Sequence, residues 1–175
     1  IGKLLLSNIS KDEIESHVFD ITYHLNQENE NSLDDDVKLS LVELNYIAGR
    51  KAQSSSAPLT ALNHYKVAIS YAAKQQLTYE DKYIKELYIE AMACSYLIGD
   101  YELMEIYGNY IVSNSKDPIE DVPVTIIRIH AYASQGNNKK SIETGLHKAA
   151  ELGVPLPNQP TKLNIALAYI RIKWL

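Results

Sequence analysis

The sequence predicts an all-α fold built from antiparallel helix pairs. Apolar residues recur at intervals of three and four along most of the 175 residues. Short runs rich in Gly, Asn, Asp, Ser and Pro separate these periodic segments, as they do where one helix ends and the next begins. Small and aromatic residues also recur at corresponding positions, which indicates an internal repeat. We expect about nine helices, the last of them interrupted by the end of the chain.

The first helix is predicted from about Lys11 to Asn26. Ser10 and Glu13 form the S-x-x-E pattern of a capping box, in which two side chains accept the free backbone N–H groups of a helix start. An apolar stripe at helical spacing follows, made of Ile14, Val18, Ile21 and Leu25. The acidic, Asn-rich run QENENSLDDD then links this helix to the next.

The second helix is predicted to begin at the three aspartates 34–36, because negative charge stabilises a helix N-terminus. Its apolar stripe consists of Val37, Leu41, Leu44 and Ala48. Pro58 suits the first turn of a third helix, since its missing N–H has no partner there in any case. The run AGRKAQSSSAP, residues 48–58, therefore spans one helix end and one helix start.

The same run contains the residue types of a phosphate-binding loop. Such a loop requires G-x-x-x-x-G-K-[ST], but no second glycine precedes Lys51, and Ala52 occupies the hydroxyl position. A helix-packing role is therefore favoured for Gly49. The pattern RKAQS also fits a basic-residue-directed phosphorylation site at Ser54, which is an alternative interpretation of this run.

The spacing of small and aromatic residues indicates a degenerate tetratricopeptide-like repeat. In that 34-residue pattern, small residues at positions 8, 20 and 27 let two helices approach closely, and an aromatic residue at position 24 fills the space between them. The first unit matches at all four positions, with Gly49, Ala61, Tyr65 and Ala68. Position 15, in the turn, marks three units at Ser56, Gly99 and Gly136.

The second and third units match less of the pattern. YLIGDYE fits the G-D-Y turn, but Met104, Gly108 and Ile111 stand where Ala, an aromatic residue and Ala are expected. The β-branched residues of VPVTIIRIHAY, residues 122–132, would suit a strand, yet their place directly ahead of Gly136 favours a helix. Together the three units predict a right-handed superhelix, or α-solenoid, of tetratricopeptide type.

Composition argues against several classes of function. A net charge of −5 with no basic cluster disfavours nucleic acid or an anionic membrane as the partner. No apolar run approaches the roughly 20 residues that a membrane span needs. Cys94 is the only cysteine, so an internal disulfide is impossible, which fits a reducing, cytoplasmic compartment.

The sequence contains no recognisable catalytic or metal-binding constellation. The histidines are His17, His24, His64, His130 and His147. None has a cysteine or carboxylate at the sequence spacing that zinc sites use. Asp34 to Asp36 lack the glycine turn and the distal glutamate of a calcium loop. Cys94 lies among apolar residues and is expected to be an inert packing thiol. We expect no catalytic residue, metal or cofactor. The alternative is an all-helical enzyme or ligand-binding domain whose site the sequence does not reveal.

Five stretches, in this order along the chain, carry a family resemblance: IGKLLL, FDITYHLN, ELNYIAGRKAQSSSAPLTAL, YLIGDYE and ELGVPLP. They resemble the helical repeat region of large multidomain signalling proteins. Those proteins join a serine/threonine kinase-like domain, an AAA/STAND-type ATPase, this region, a GAF domain and often a sensor histidine kinase.

The resemblance implies a division of the chain into three parts. Residues 1–30 would be the helical end of the ATPase module and an acidic linker, residues 31–157 the helical repeats, and residues 158–175 the start of a further, truncated helix pair. It also implies a non-catalytic scaffold for protein–protein or interdomain contacts. The kinase and ATPase motifs of the family lie outside this chain.

In a superhelix of this type, partners bind the concave face. The inner helix of each pair lines that face at repeat positions 2, 5, 9, 12 and 13. The predicted protein-binding residues are therefore Glu43, Tyr46, Arg50, Gln53, Glu86, Ile89, Tyr96, His130 and Ser134. Tyr, Arg and apolar side chains are typical of protein interfaces. We expect the partner to be a protein, a peptide or a flanking domain of the same polypeptide.

Overall fold

The computed structural model of the chain describes residues 13–29, 32–81, 83–162 and 164. These residues form seven α-helices and no strand: α1 Ile14–Leu25, α2 Asp35–Ser54, α3 Pro58–Lys74, α4 Ile84–Leu97, α5 Tyr101–Asn114, α6 Val122–Ser134 and α7 Asn138–Glu151. The all-α class is confirmed. The expected count of about nine helices is not confirmed, and both ends of the chain, residues 1–12 and 165–175, lie outside the described residues.

The helices pack against their neighbours along the chain within two compact units. The described residues up to Asn114 form the first unit, where α1 packs on α2, α2 on α3, α3 on α4, and α4 on α5. The described residues from Ser115 onward form the second unit, where α6 packs on α7. We call α2–α3, α4–α5 and α6–α7 the first, second and third hairpins. None of the helices in the described part of the chain is long and apolar enough to cross a membrane.

Each hairpin turns through the same three-residue connection. The middle residue has a positive φ angle in every case, 59° at Ser56, 79° at Gly99 and 74° at Gly136. Its amide donates a hydrogen bond to the carbonyl three residues earlier, and the next amide donates to the carbonyl five residues earlier. These two bonds define the Schellman motif, which satisfies the last carbonyls of a helix. The three residues that mark the repeat in the sequence therefore occupy equivalent turn positions.

The helix starts follow their sequence signals with one correction. Asp34 precedes α2 in an extended conformation, with two further aspartates in the first turn, and Pro58 opens α3, as predicted. The segment 122–134 is helical, which confirms the interpretation of its β-branched run. The first helix, however, begins at Ile14 after Glu13 and ends at Leu25. The proposed capping residue Ser10 lies outside the described residues.

Most residues of the apolar stripes predicted for the first two helices lie in the core, whereas Ile14 and Val37, at the helix starts, are half-buried. Val18, Ile21, Leu25 and Leu41 are fully buried. A small residue meets a large one where α2 crosses α3, because a Cβ atom added to Gly49 would lie 2.6 Å from Cδ1 of Tyr65. This distance is shorter than any stable contact between carbon atoms. Gly49 is thus a helix-packing residue, as expected.

The third hairpin reverses this arrangement. Its glycine, Gly145, lies on the second helix, and a Cβ atom there would meet Cδ1 of Ile129 on the first helix at 3.3 Å. Ile129 and Gly145 occupy the repeat positions of Gly49 and Tyr65, with the small and large partners exchanged. In the second hairpin the same positions hold Met92 and Gly108, which are both buried. The second repeat unit, which forms the second hairpin, is therefore not simply a poorer match to the pattern. Its glycine, Gly108, lies on the second helix of the hairpin, whereas Gly49 lies on the first helix of its hairpin.

Candidate protein-binding surface

The binding residues predicted for the first repeat unit lie along one side of α2. Arg50 and Glu43 are exposed, and Gln53 is half-buried. Tyr46 is only 7 % exposed, so its ring is part of the core. Its hydroxyl oxygen accepts a hydrogen bond from Nη1 of Arg50 at 3.3 Å. Tyr46 therefore supports and orients Arg50 and offers little surface of its own to a partner.

Two side-chain contacts join this side of α2 to α4. The hydroxyl of Tyr83, just before α4, donates to Oε1 of Glu43 at 2.8 Å, and Nε2 of Gln53 donates to Oε2 of Glu90 at 2.9 Å. The ring of Tyr83 also packs against that of Tyr46, with centroids 5.1 Å apart. These contacts place the binding residues predicted for the first unit beside those predicted on α4.

The residues of α4 that face this junction share one side of the helix. At 3.6 residues per turn, Glu86, Ile89, Glu90 and Tyr96 fall within about a third of the helix circumference. Glu86 is exposed, and the other three are half-buried. We use the term α2/α4 surface for Glu43, Arg50, Gln53, Tyr83, Glu86, Ile89, Glu90 and Tyr96.

Sequence reasoning missed two residues of this surface. Glu90 follows Glu86 by one helical turn, so the helical period could have included it. Tyr83 lies in the connection before α4 and has a φ angle of 71°, a left-handed conformation that is rare for a bulky residue. A helix pattern carries no signal for such a residue, because it lies outside the helix.

Hydrogen bonds hold the polar groups of the α2/α4 surface in place. The bond to Tyr46 is the main cause that raises the pKa of Arg50, and the charge of Glu90 adds to it, so the guanidinium stays charged. Gln53 is fixed at both ends, since its Oε1 accepts from the hydroxyl of Tyr65 at 2.8 Å. Burial raises the pKa of Tyr65 and keeps that hydroxyl protonated. The surface is therefore pre-organised.

The predicted binding residues of the third unit, His130 and Ser134, lie on α6 in the second compact unit. Both are exposed, and the hydroxyl of Ser134 donates to the carbonyl of Ala131 at 2.9 Å. A groove shared between these residues and the α2/α4 surface stays a prediction.

A buried polar cluster lies on another part of the first unit. The side chains of Asn26 and Asn45 exchange two hydrogen bonds of 2.9 and 3.0 Å, and Nδ1 of His64 lies 3.0 Å from Oδ1 of Asn45. Asn45 is fully buried. The cluster connects the end of α1 to α2 and α3, so its role is to fix three helices together.

Two observations bear on metal and thiol chemistry in the described part of the chain. Within them, no group of three or more His, Cys, Asp or Glu side chains could hold a metal ion. Cys94 is buried, as expected, and burial raises its pKa to about 11. Its thiol is therefore protonated at neutral pH, and a protonated thiol is a weak nucleophile.

Comparison of the chain with protein-family models, curated proteins and solved structures gave no match.

Proposed function

We propose that this chain is a non-catalytic helical-repeat scaffold that binds a protein partner or a flanking domain of its own polypeptide through the α2/α4 surface. The observation that carries this proposal is the pair of contacts that join α2 to α4, Glu43 with Tyr83 and Gln53 with Glu90. They bring residues predicted to bind in two successive repeat units onto one surface.

The pre-organisation of the α2/α4 surface supports a binding role. Ordering a flexible side chain at an interface costs about 0.5–1.5 kcal/mol. Arg50 and Gln53 are already held by hydrogen bonds in the unbound chain, so a partner would meet a lower entropic cost there.

The repeat architecture supports the superhelical part of the proposal. All three hairpins turn through the same Schellman motif, and within each of the two compact units helices pack with their neighbours in sequence. Repetition of one hairpin against the next is how α-solenoids generate extended binding surfaces. The proposed setting is the repeat region of a cytoplasmic multidomain signalling protein with ATPase and kinase-like domains. It is supported by the ordered sequence stretches that resemble that family.

A binding measurement with the flanking domains of the polypeptide tests the proposal. Calorimetry with the intact chain and Arg50→Ala should show at least a tenfold loss of affinity, about 1.4 kcal/mol. Arg128→Ala on α6 is the matched control and should bind like the intact chain. Tyr46→Ala is less suitable alone, because its ring is buried. Undiminished binding by a correctly folded Arg50→Ala chain would contradict the assigned surface.

A further inference from the structure

The α2/α4 surface belongs to a wider face on which negative charge predominates. Continuing the α2 side by helical period adds Asp36 and Leu39, which are both exposed. Among the described residues of the two helix faces, the carboxylates that enter the sum are Asp36, Glu43, Glu86 and Glu90, and the cation is Arg50. Asp35 also lies on this side of α2 but is paired with Lys38, so this ion pair is left out of the sum. The formal charge of this set is −3, from four acids and one base.

The two hydrogen bonds between α2 and α4 do not themselves neutralise the carboxylates that accept them. Arg50 is held by its hydrogen bond to Tyr46 and is attracted by Glu90, and its positive charge is already included in the sum of −3. The groups that donate to Glu43 and Glu90 in the α2–α4 contacts are a hydroxyl and an amide, which are neutral. A neutral donor orients a carboxylate without cancelling its charge.

Apolar side chains lie among these carboxylates. Leu39 on α2 is 49 % exposed and Leu97 at the end of α4 is 58 % exposed. Ile89 and Tyr96 are half-buried on the same side of α4. Exposed leucines within a charged face favour a partner that carries apolar side chains as well as charge.

We infer that the α2/α4 surface takes a peptide segment of another polypeptide in which lysine or arginine residues flank apolar ones. The cations would pair with Glu86 and Glu90, and the apolar side chains would contact Leu97 and Ile89. The same charges repel the phosphates of a nucleic acid and an anionic membrane. This inference rests on the proposed function and specifies the chemistry of the partner.

Two synthetic amphipathic peptides that differ only in charge test the inference. One alternates Lys with Leu and Ala along a helical period, and the other has Glu at every Lys position. Fluorescence anisotropy with the full chain should show binding of the Lys peptide that weakens with added salt, because screening shortens the range of the attraction. The Glu peptide should not bind. Tighter binding of the Glu peptide would overturn the inference.

A matched pair of double variants localises the binding. The double variant Glu86→Gln with Glu90→Gln keeps an acceptor for Gln53 but removes two negative charges. It should lower the affinity for the Lys peptide at least tenfold. Glu102→Gln with Glu143→Gln removes two charges from α5 and α7 and should change affinity less than twofold. Circular dichroism confirms folding of both. Equal losses in the two double variants would show a general charge effect and overturn the inference.

The inference and the proposed function fail separately. If the chain binds flanking domains in a manner that depends on Arg50 but does not bind the Lys peptide, the inference is wrong and the proposed function stands.

Discussion

Gly49 on α2 lies directly against the ring of Tyr65 on α3, so closely that no side chain larger than hydrogen fits there. A Cβ atom on Gly49 would come within 2.6 Å of Cδ1 of Tyr65. Tyr65 is fully buried, and its hydroxyl is held by Gln53, so the ring cannot move aside without loss of a hydrogen bond. The approach of these two helices depends on this glycine.

Gly49→Ala should therefore destabilise the chain by about 1–3 kcal/mol, the usual cost of overpacking, despite the better helix propensity of alanine. Denaturant unfolding measures the change. Gly145→Ala is the matched control, because its Cβ would meet only the terminal methyl of Ile129 at 3.3 Å, which can shift. Equal effects of the two substitutions would show that the Tyr65 contact does not restrict this position.

Ala61 tests the small-residue positions of the repeat independently. It is fully buried at the start of α3, so Ala61→Leu should force α2 and α3 apart and cost about 1–3 kcal/mol. The control is Lys74→Leu at the exposed end of the same helix. If thermal melts of both variants are equally unshifted, the assignment of repeat positions is wrong.

Ser56 is the one non-glycine among the three hairpin turns, and its φ angle of 59° is strained for an L-residue. Ser56→Gly should therefore stabilise the chain by about 1 kcal/mol, whereas Gly99→Ala should destabilise it by a similar amount. Ser55→Gly is the control, because Ser55 has a negative φ of −88°. Chemical unfolding that ranked Ser55→Gly above Ser56→Gly in stability would contradict this reasoning.

His64 should make stability depend on pH. Burial lowers its pKa below the ordinary value of 6.5, so the unfolded chain takes up a proton before the folded chain does. Stability contributed by the neutral ring is therefore present above pH 6.5 and is lost as the pH falls below it. The free energy of unfolding, measured between about pH 7 and about pH 5, should fall less steeply in His64→Gln. The exposed His130→Gln serves as control, and a matching slope change there would refute the assignment.

An ion pair joins the start of α6 to the end of α7 in the second compact unit. Nζ of Lys148 lies 2.7 Å from Oδ1 of Asp121, and their side chains are only 12 % and 13 % exposed. Asp121→Asn should cost about 1–2 kcal/mol, because the amide oxygen still accepts from Lys148 but the attraction between opposite charges in a partly buried site is lost. Hydrogen exchange of α7 amides measures the loss.

The matched control for this ion pair is Lys139→Gln. Lys139 lies 3.8 Å from Glu143, and both side chains are largely exposed. Exposed pairs contribute about 0–1 kcal/mol. Exchange protection of α7 that fell equally in Asp121→Asn and Lys139→Gln would exclude a special role for the partly buried pair.

Local signals in the sequence account for most of the helix map. Periodic apolar residues predict α1 and α2, and Pro58 predicts the start of α3. Gly99 and Gly136 predict two of the turns, since glycine adopts a positive φ without strain. These signals are readable because each depends on residues within a few positions of one another.

The repeat pattern was harder to read in the second and third units. The repeat pattern specifies a small residue at position 8 and an aromatic residue at position 24. It does not detect a pair in which the large residue is at position 8 and the small one at position 24. Packing requires only that their volumes be complementary, as Gly145 and Ile129 show.

The sequence by itself determined that this chain is helical, where several of its helices begin and end, and which residues mark the three turns. Only the tertiary structure decided the make-up of the α2/α4 surface. Tyr83 bonds Glu43 across 40 residues, and Gln53 bonds Glu90 across 37. Tyr46, predicted to face a partner, is buried with the ring of Tyr83 packed against it. Helical periodicity states which side of a helix a residue occupies, but what covers that side depends on segments distant in sequence.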